Sequence, residues 1–198
     1  MSSSLALAQD HLEPNSNIFE DYDFQYQYYS QIRDLLFEGL SDQPISQLII
    51  LPSFSKELVW QIDNNQKDNK YYSITSTANH SIWYNQYEDK PKKLKQEISR
   101  NEITKESAEL IRKLFLVALK GVKYSDDRQG LDGTNYYFSV TEMGSKSGTI
   151  WSPRKGSKMR ELVDLSQRVI GETQKQSNLS KSLIKDINKL ISELNNAH

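Results

Sequence analysis

Cysteine is absent from this 198-residue chain, and histidine occurs only three times. Without thiols there is no disulfide, no thiolate nucleophile and no zinc–thiolate site. His11, His80 and His198 lie far apart in the sequence, and none has a second histidine at helical spacing. Zinc seldom binds to carboxylates alone. The sequence therefore predicts no metal site, and no motif in it indicates a cofactor.

Long apolar runs and an excess of one charge are also missing. No stretch approaches the roughly 18 apolar residues of a membrane span. The 25 basic residues nearly balance the 26 acidic ones, which leaves a formal net charge of −1. Non-specific binding to nucleic acid rests on a strongly basic field. We therefore expect no membrane span and no nucleic-acid binding, whereas a protein partner is compatible with this composition.

The first twenty residues contain little that would build a core. Leu5-Ala6-Leu7-Ala8 precedes Gln9, and Ala6 and Ala8 match an A-x-A cleavage pattern, although a basic start and a full apolar stretch are lacking. We interpret residues 1–20 as a flexible tail and a signal-peptide remnant. This interpretation favours a periplasmic or secreted location over a cytoplasmic one. The alternative is an ordinary disordered or helical N-terminus.

The rest of the chain alternates between two hydrophobic periods. Helical spacing of apolar residues predicts helices over 21–40, after Thr104, from Ser157 to Ile170 and from Asn178 onward. Apolar runs or alternating patterns predict strands over 47–52, 71–78, 81–87, 134–143 and 149–151. Residues 55–62 fit either a short helix or a strand. Residues 90–95 form a lysine-rich connector, and residues 144–148 fit a hairpin loop.

This outline predicts a single α+β domain over residues 21–198. Clustered strands bracketed by helices favour an antiparallel or mixed β-sheet with helices packed mainly on one face. The last two predicted helices form a C-terminal helical pair. Within the 134–143 strand, alternation places Tyr136, Phe138 and Val140 on one face, and their apolar character predicts that this face is buried.

Recognisable catalytic motifs are missing. S-x-x-K occurs three times, as expected by chance in a chain rich in serine and lysine, and neither G-x-S-x-G nor a phosphate-binding P-loop is present. The 26 acidic residues offer many pairs for acid–base chemistry, and spacing alone cannot choose between them. Asp132, beside the strongest predicted strand, is the first carboxylate to inspect. Its turn context, Leu131-Asp132-Gly133, equally fits a turn-forming role.

A basic loop before a predicted helix suggests an anion site. Trp151 ends a predicted strand, and Arg154, Lys155, Gly156 and Ser157 lead into the next helix. The first backbone N–H groups of a helix lack internal partners and lie at its positive end, where an anion can bind. The alternative is that Ser157 only caps the helix and the cations lie in solvent.

Aromatic residues suggest a second kind of site. Two predicted hairpins carry Trp, Tyr and Phe side chains, and rings that the core does not need would form a binding surface on the sheet. The candidate residues for binding a ligand or partner are Trp83, Tyr84, Asp132, Tyr137 and Trp151.

The hypothesis is therefore a non-catalytic binding or interaction protein, such as an exported accessory or immunity-like protein, which uses an aromatic-rich sheet face. The alternative is a small hydrolase or transferase with a carboxylate-based site that carries no recognisable motif.

Overall fold

The computed structural model describes residues 11–15, 25–124, 132–142 and 144–196. The strands of this part of the chain are β1 (Glu13–Pro14), β2 (Ser46–Pro52), β3 (Leu58–Asn65), β4 (Lys70–Ala78), β5 (Gln96–Ile103), β6 (Thr134–Glu142) and β7 (Gly144–Trp151). The helices are α1 (Tyr26–Leu36), α2 (Ile82–Asn85), α3 (Lys105–Lys120), α4 (Lys158–Thr173) and α5 (Lys181–Asn195). The Leu5–Gln9 pattern lies outside the described residues.

The strands form one antiparallel sheet in the order β1-β7-β6-β2-β3-β4-β5. β2 lies in the interior of the sheet, between β3 and β6, which explains its continuous apolar run. A strand that is covered on both faces needs apolar side chains in both directions. The prediction of a strand over 47–52 is confirmed, and residues 58–62 of the ambiguous stretch belong to β3.

The main core lies between one sheet face and the three long helices α3, α4 and α5. Phe138 of β6 is fully buried, and its ring meets that of Phe115 edge to face with centroids 5.0 Å apart. Tyr136 and Val140 contribute to the same core, so the predicted buried face of this strand is confirmed. Thr104 caps α3 through its hydroxyl, also as predicted.

A smaller core lies on the other sheet face, beneath α1 and the short α2. Ile32 and Leu36 of α1 pack there with Ile49, Val59 and Tyr137 from the sheet. Three long helices on one face, against one long and one short helix on the other, confirm the predicted α+β class with helices mainly on one face.

The C-terminal helical pair is also confirmed. α5 packs on α3 and α4, and its apolar side chains Leu183, Ile187 and Leu190 are completely buried in the main core. The helix α4 continues to Thr173, past the predicted stop at Gly171, and α5 begins after the cap Ser180 instead of at Asn178.

Two local predictions are corrected, and two further segments prove to contain strands. Residues 81–87, predicted as a strand, contain the helix α2. Residues 144–148, predicted as a hairpin loop, belong to β7, where Gly148 lies under α3 and an added Cβ would come 3.0 Å from the Leu119 side chain. Residues 96–103, left unassigned, form β5. Within the stretch 1–20 that the sequence analysis interprets as a tail, β1 pairs with β7, and Leu12 is buried in the main core.

Candidate functional site

The aromatic residues predicted to bind a partner do not share one sheet face. Tyr137 and Trp151 are buried, and Tyr137 belongs to the smaller core. Trp83 and Tyr84 lie on α2 and not on a hairpin strand, and Tyr84 is 42% exposed. Of these four rings, the two on α2 are therefore the ones placed near the surface.

The position of α2 is fixed by a buried carboxylate, that of Glu57 just before β3. Its side chain is 0% exposed and accepts the amide N–H of Ile82 at 2.8 Å and that of Trp83 at 3.0 Å. The hydroxyl groups of Ser81 and Tyr28 donate to the same carboxylate at 3.4 Å and 3.2 Å. These four donors satisfy a group that would be costly to bury without partners.

The phenol of Tyr28 is a donor in this cluster. Burial, followed by the charge of Glu57 and its hydrogen bond, raises the pKa of Tyr28 far above its ordinary value. The hydroxyl therefore keeps its proton and its hydrogen bond to Glu57 throughout the physiological range. The helix α1 is thus tied to α2 through one carboxylate.

Three aromatic rings continue from this cluster to the surface. The rings of Tyr28 and Trp83 meet edge to face with centroids 5.2 Å apart, and Trp83 and Tyr87 meet with centroids 5.4 Å apart. Tyr28 is buried, Trp83 is half-buried and Tyr87 is 70% exposed. The innermost ring anchors the series, so the outer rings are held at the surface by packing.

The lysine-rich connector beside these rings is held by two asparagine side chains. Asn85 accepts the backbone N–H of Lys92 at 2.8 Å and donates to its carbonyl at 3.0 Å. Asn79 accepts the N–H of Lys95 at 2.8 Å and donates to the carbonyl of Lys93 at 3.3 Å. A side-chain amide that binds both polar groups of a peptide fixes that peptide in place.

We use the name α2 surface for the exposed part of this region. It comprises the aromatic residues Trp83, Tyr84 and Tyr87 and the exposed lysines Lys90, Lys92, Lys93 and Lys95. The aromatic pattern of the sequence indicates Trp83 and Tyr84 as candidate site residues, whereas the candidates do not include Tyr87 or the lysines. Asn85 and Lys92 are brought together by hydrogen bonds between separate segments, and no local sequence pattern predicts such a contact.

The predicted anion site lies at the start of α4. Ser157 caps this helix by accepting the N–H of Arg160 at 3.1 Å, while Lys155 and Gly156 are exposed beside it. A shallow groove of about 370 Å³ begins at Gly156 and Ser157 and follows α4. Its guanidinium groups already have acidic partners: Arg160 lies 2.9 Å from Asp164, and Arg168 lies 2.8 Å from Asp186. Anion binding here, including the contribution of Arg154, stays a prediction.

Asp132 lies at the other end of the main hairpin, beside Trp151. The carboxylate is exposed, and the following Gly133 donates its N–H to the Ser53 hydroxyl at 3.0 Å. An added Cβ on Gly133 would overlap the Trp151 ring, so this turn packs directly on the indole. Asp132 therefore lies near Trp151. Among the described residues, no contact joins it to the aromatic residues of α2.

The buried Glu57 and the half-buried Asp63 are too far apart to act as an acid–base pair. Glu57 and Asp63 lie about 20 Å apart along an extended segment. Burial raises the pKa of Asp63, against the hydrogen bond from Gln61 and the charge of Arg100. A second shallow groove, of about 280 Å³, is lined by apolar residues, by Lys56 and Tyr136, and by the uncharged Ser55, Thr134 and Gln167, with no carboxylate among its lining residues.

Comparison with known proteins adds no relative. No protein-family model, no curated protein and no protein of known structure matches the chain. Among the described residues, no group of three or more His, Asp or Glu side chains is arranged to hold a metal ion. None of the helices in this part of the chain is both long and apolar enough to cross a membrane.

Proposed function

We propose that this protein is a non-catalytic binding protein that contacts a protein partner through the α2 surface. The observation that carries the proposal is the rigid presentation of Tyr84 and Tyr87, which are 42% and 70% exposed on a segment anchored by the buried Glu57. Tyrosine and tryptophan are enriched at the centres of protein interfaces.

The rigidity of the α2 surface supports a binding function for it. Ordering a side chain or a loop during association costs about 0.5–1.5 kcal/mol for each immobilised side chain. The aromatic series on Tyr28 and the two asparagine contacts order the α2 surface before any partner arrives. A preorganised aromatic patch is therefore better suited to recognition than the buried rings of Tyr137 and Trp151.

The alternative, a hydrolase or transferase with a carboxylate-based site, has weaker support. Such chemistry needs two carboxylates within a few ångströms of one substrate. Glu57 is fully engaged in holding α2, and the acidic residues Asp164 and Asp186 of the α4 groove are paired with arginines.

An affinity experiment tests the proposal. The unmodified chain, the Tyr84→Ala/Tyr87→Ala variant and a Tyr124→Ala control are immobilised and exposed to a lysate of the source organism. Tyr124 is 88% exposed and follows α3. It lies far from the α2 surface, because the N–H of the preceding residue, Lys123, donates to the Leu12 carbonyl beside β1, at the sheet edge opposite β5. We expect the unmodified chain and the control to retain the same proteins and the double variant to lose them. Identical retained proteins in all three samples would refute the proposal.

A further inference from the structure

The lysines of the α2 surface present an unmatched positive charge. Residues 88–95 contain four lysines but only two acidic residues, Glu88 and Asp89. Lys92 lies 4.0 Å from Glu88, whereas Lys90, Lys93 and Lys95 form no ion pair with a described residue. Elsewhere Lys56, before β3, and Lys70, at the start of β4, have glutamate partners. The connector is thus a locally basic strip on a molecule with no overall basic charge.

This strip has a fixed backbone, although it has no regular secondary structure. Asn79 contacts Lys93 and Lys95 through its side chain, and its own N–H donates to the Lys95 carbonyl at 2.9 Å. Between them, Leu94 is half-buried against the smaller core. Lys93 and Lys95, on either side of Leu94, are therefore held on the surface. The aromatic residues of α2 lie beside them, because Asn85 of α2 binds the same connector.

We infer that the partner bound by the α2 surface presents an acidic polypeptide segment, whose carboxylates face these lysines while apolar or aromatic groups pack on Tyr84 and Tyr87. This inference rests on the proposed binding function. Complementary charge across an interface raises the association rate and selects the partner. The side-chain stems of lysine also cover apolar surface, which suits a strip beside exposed rings.

Two other anionic partners fit the α2 surface less well. A polynucleotide is attracted by a basic field over the whole molecule, whereas this chain has a net charge of −1. The Trp83 and Tyr87 rings are also inclined by 62° and do not provide parallel platforms for successive bases. An anionic membrane binds amphipathic helices that carry a continuous apolar face of residues such as Trp, Phe and Leu, but α2 has only four residues and its Ile82 is buried.

Fluorescence anisotropy at low ionic strength tests the inference with a labelled peptide of alternating glutamate and leucine. Its controls are the glutamine counterpart of that peptide, a labelled oligothymidylate and, by co-sedimentation, vesicles that contain phosphatidylserine. The variant Lys90→Gln/Lys93→Gln/Lys95→Gln is compared with Lys105→Gln/Lys113→Gln/Lys120→Gln, which removes the same charge from exposed positions on α3.

We expect the glutamate peptide to bind, the connector variant to lose about tenfold in affinity and the α3 variant to lose less than about twofold. No binding of the glutamate peptide, equal losses in both variants, or tighter binding of the oligothymidylate or the vesicles would overturn the inference. These outcomes leave the proposed function standing if the Tyr84→Ala/Tyr87→Ala variant still loses its lysate partners. If that variant retains them, the proposed function itself fails.

Discussion

At the scale of single residues, Glu57 has the largest influence on the candidate site. It belongs to no motif, and the backbone groups that it binds lie 25 and 26 positions further along the chain. A buried carboxylate at the start of a four-residue helix replaces the hydrogen bonds that so short a helix cannot supply itself. Ser81 can be identified as a helix cap only once the helix is known. The sequence alone therefore predicts a strand for Trp83 and Tyr84.

Substituting Glu57→Gln tests this anchoring role. Glutamine has almost the same volume, but one of the two carboxylate oxygens becomes an amide that cannot accept from Ile82 or Trp83. Removing the buried charge relieves a desolvation cost, yet leaving buried N–H donors without an acceptor outweighs this relief. We expect the free energy of unfolding in urea to fall by about 2–4 kcal/mol. Near-ultraviolet circular dichroism should also change, because Trp83 loses its fixed position.

Glu97→Gln is the control for this substitution, because Glu97 is exposed and lies 3.8 Å from Lys56. Its change in the free energy of unfolding should stay within about 0.5 kcal/mol. A Glu57→Gln protein as stable as this control would show that the carboxylate is not needed to hold α2.

At the scale of elements, hydrophobic periodicity succeeds where an element has one buried face. It predicts α3 and β6 because each repeats its apolar residues over two or more turns or several alternations, whereas β2 is predicted from an unbroken apolar run that is buried on both faces. It fails for α2, whose four residues span only about one helical turn and cannot repeat a pattern, and for β5, an edge strand with mostly exposed side chains. The sequence predicts the lysine connector as a charged segment. It does not predict the fixed backbone of this segment, which depends on the side chains of Asn79 and Asn85.

The helix α5 offers a sharp test of helix periodicity. Leu183 is 0% exposed in the main core, while the next residue, Ile184, lies about 100° further around the helix and is 37% exposed. We expect Leu183→Ala to lower the free energy of unfolding by about 2–5 kcal/mol because it leaves a cavity. Ile184→Ala should cost less than about 1 kcal/mol. Equal costs, measured by urea denaturation, would contradict the packing of α5 on α3 and α4.

At the scale of the whole molecule, the sheet is the element that both cores share. β2, β3 and β6 contribute to the main core with one set of side chains and to the smaller core with the other. The α2 surface therefore rests on the same strands that carry the long helices. The aromatic part of this surface could be anticipated from composition, but its separation from Tyr137 and Trp151 required the topology, which buries those two rings.

The outer side of β5 ends the described sheet, and among the described residues no strand pairs with it. An open strand of eight residues invites pairing with another chain, and natural proteins discourage this with charged side chains. Glu97, Arg100 and Glu102 supply such charges on both faces of β5. Replacing all three with threonine, which favours strands, should therefore allow two copies to pair along this edge.

We expect sedimentation velocity to show larger species for the Glu97→Thr/Arg100→Thr/Glu102→Thr variant than for the unmodified chain at the same concentration. The matched control is Glu106→Gln/Glu109→Gln/Lys113→Gln on α3, which removes the same numbers of acidic and basic charges from exposed positions. It should sediment like the unmodified chain, because a helix has no open backbone edge. If the two variants associate equally, loss of surface charge and not strand pairing is the cause. If the β5 variant sediments like the unmodified chain, charge is not what keeps this edge free.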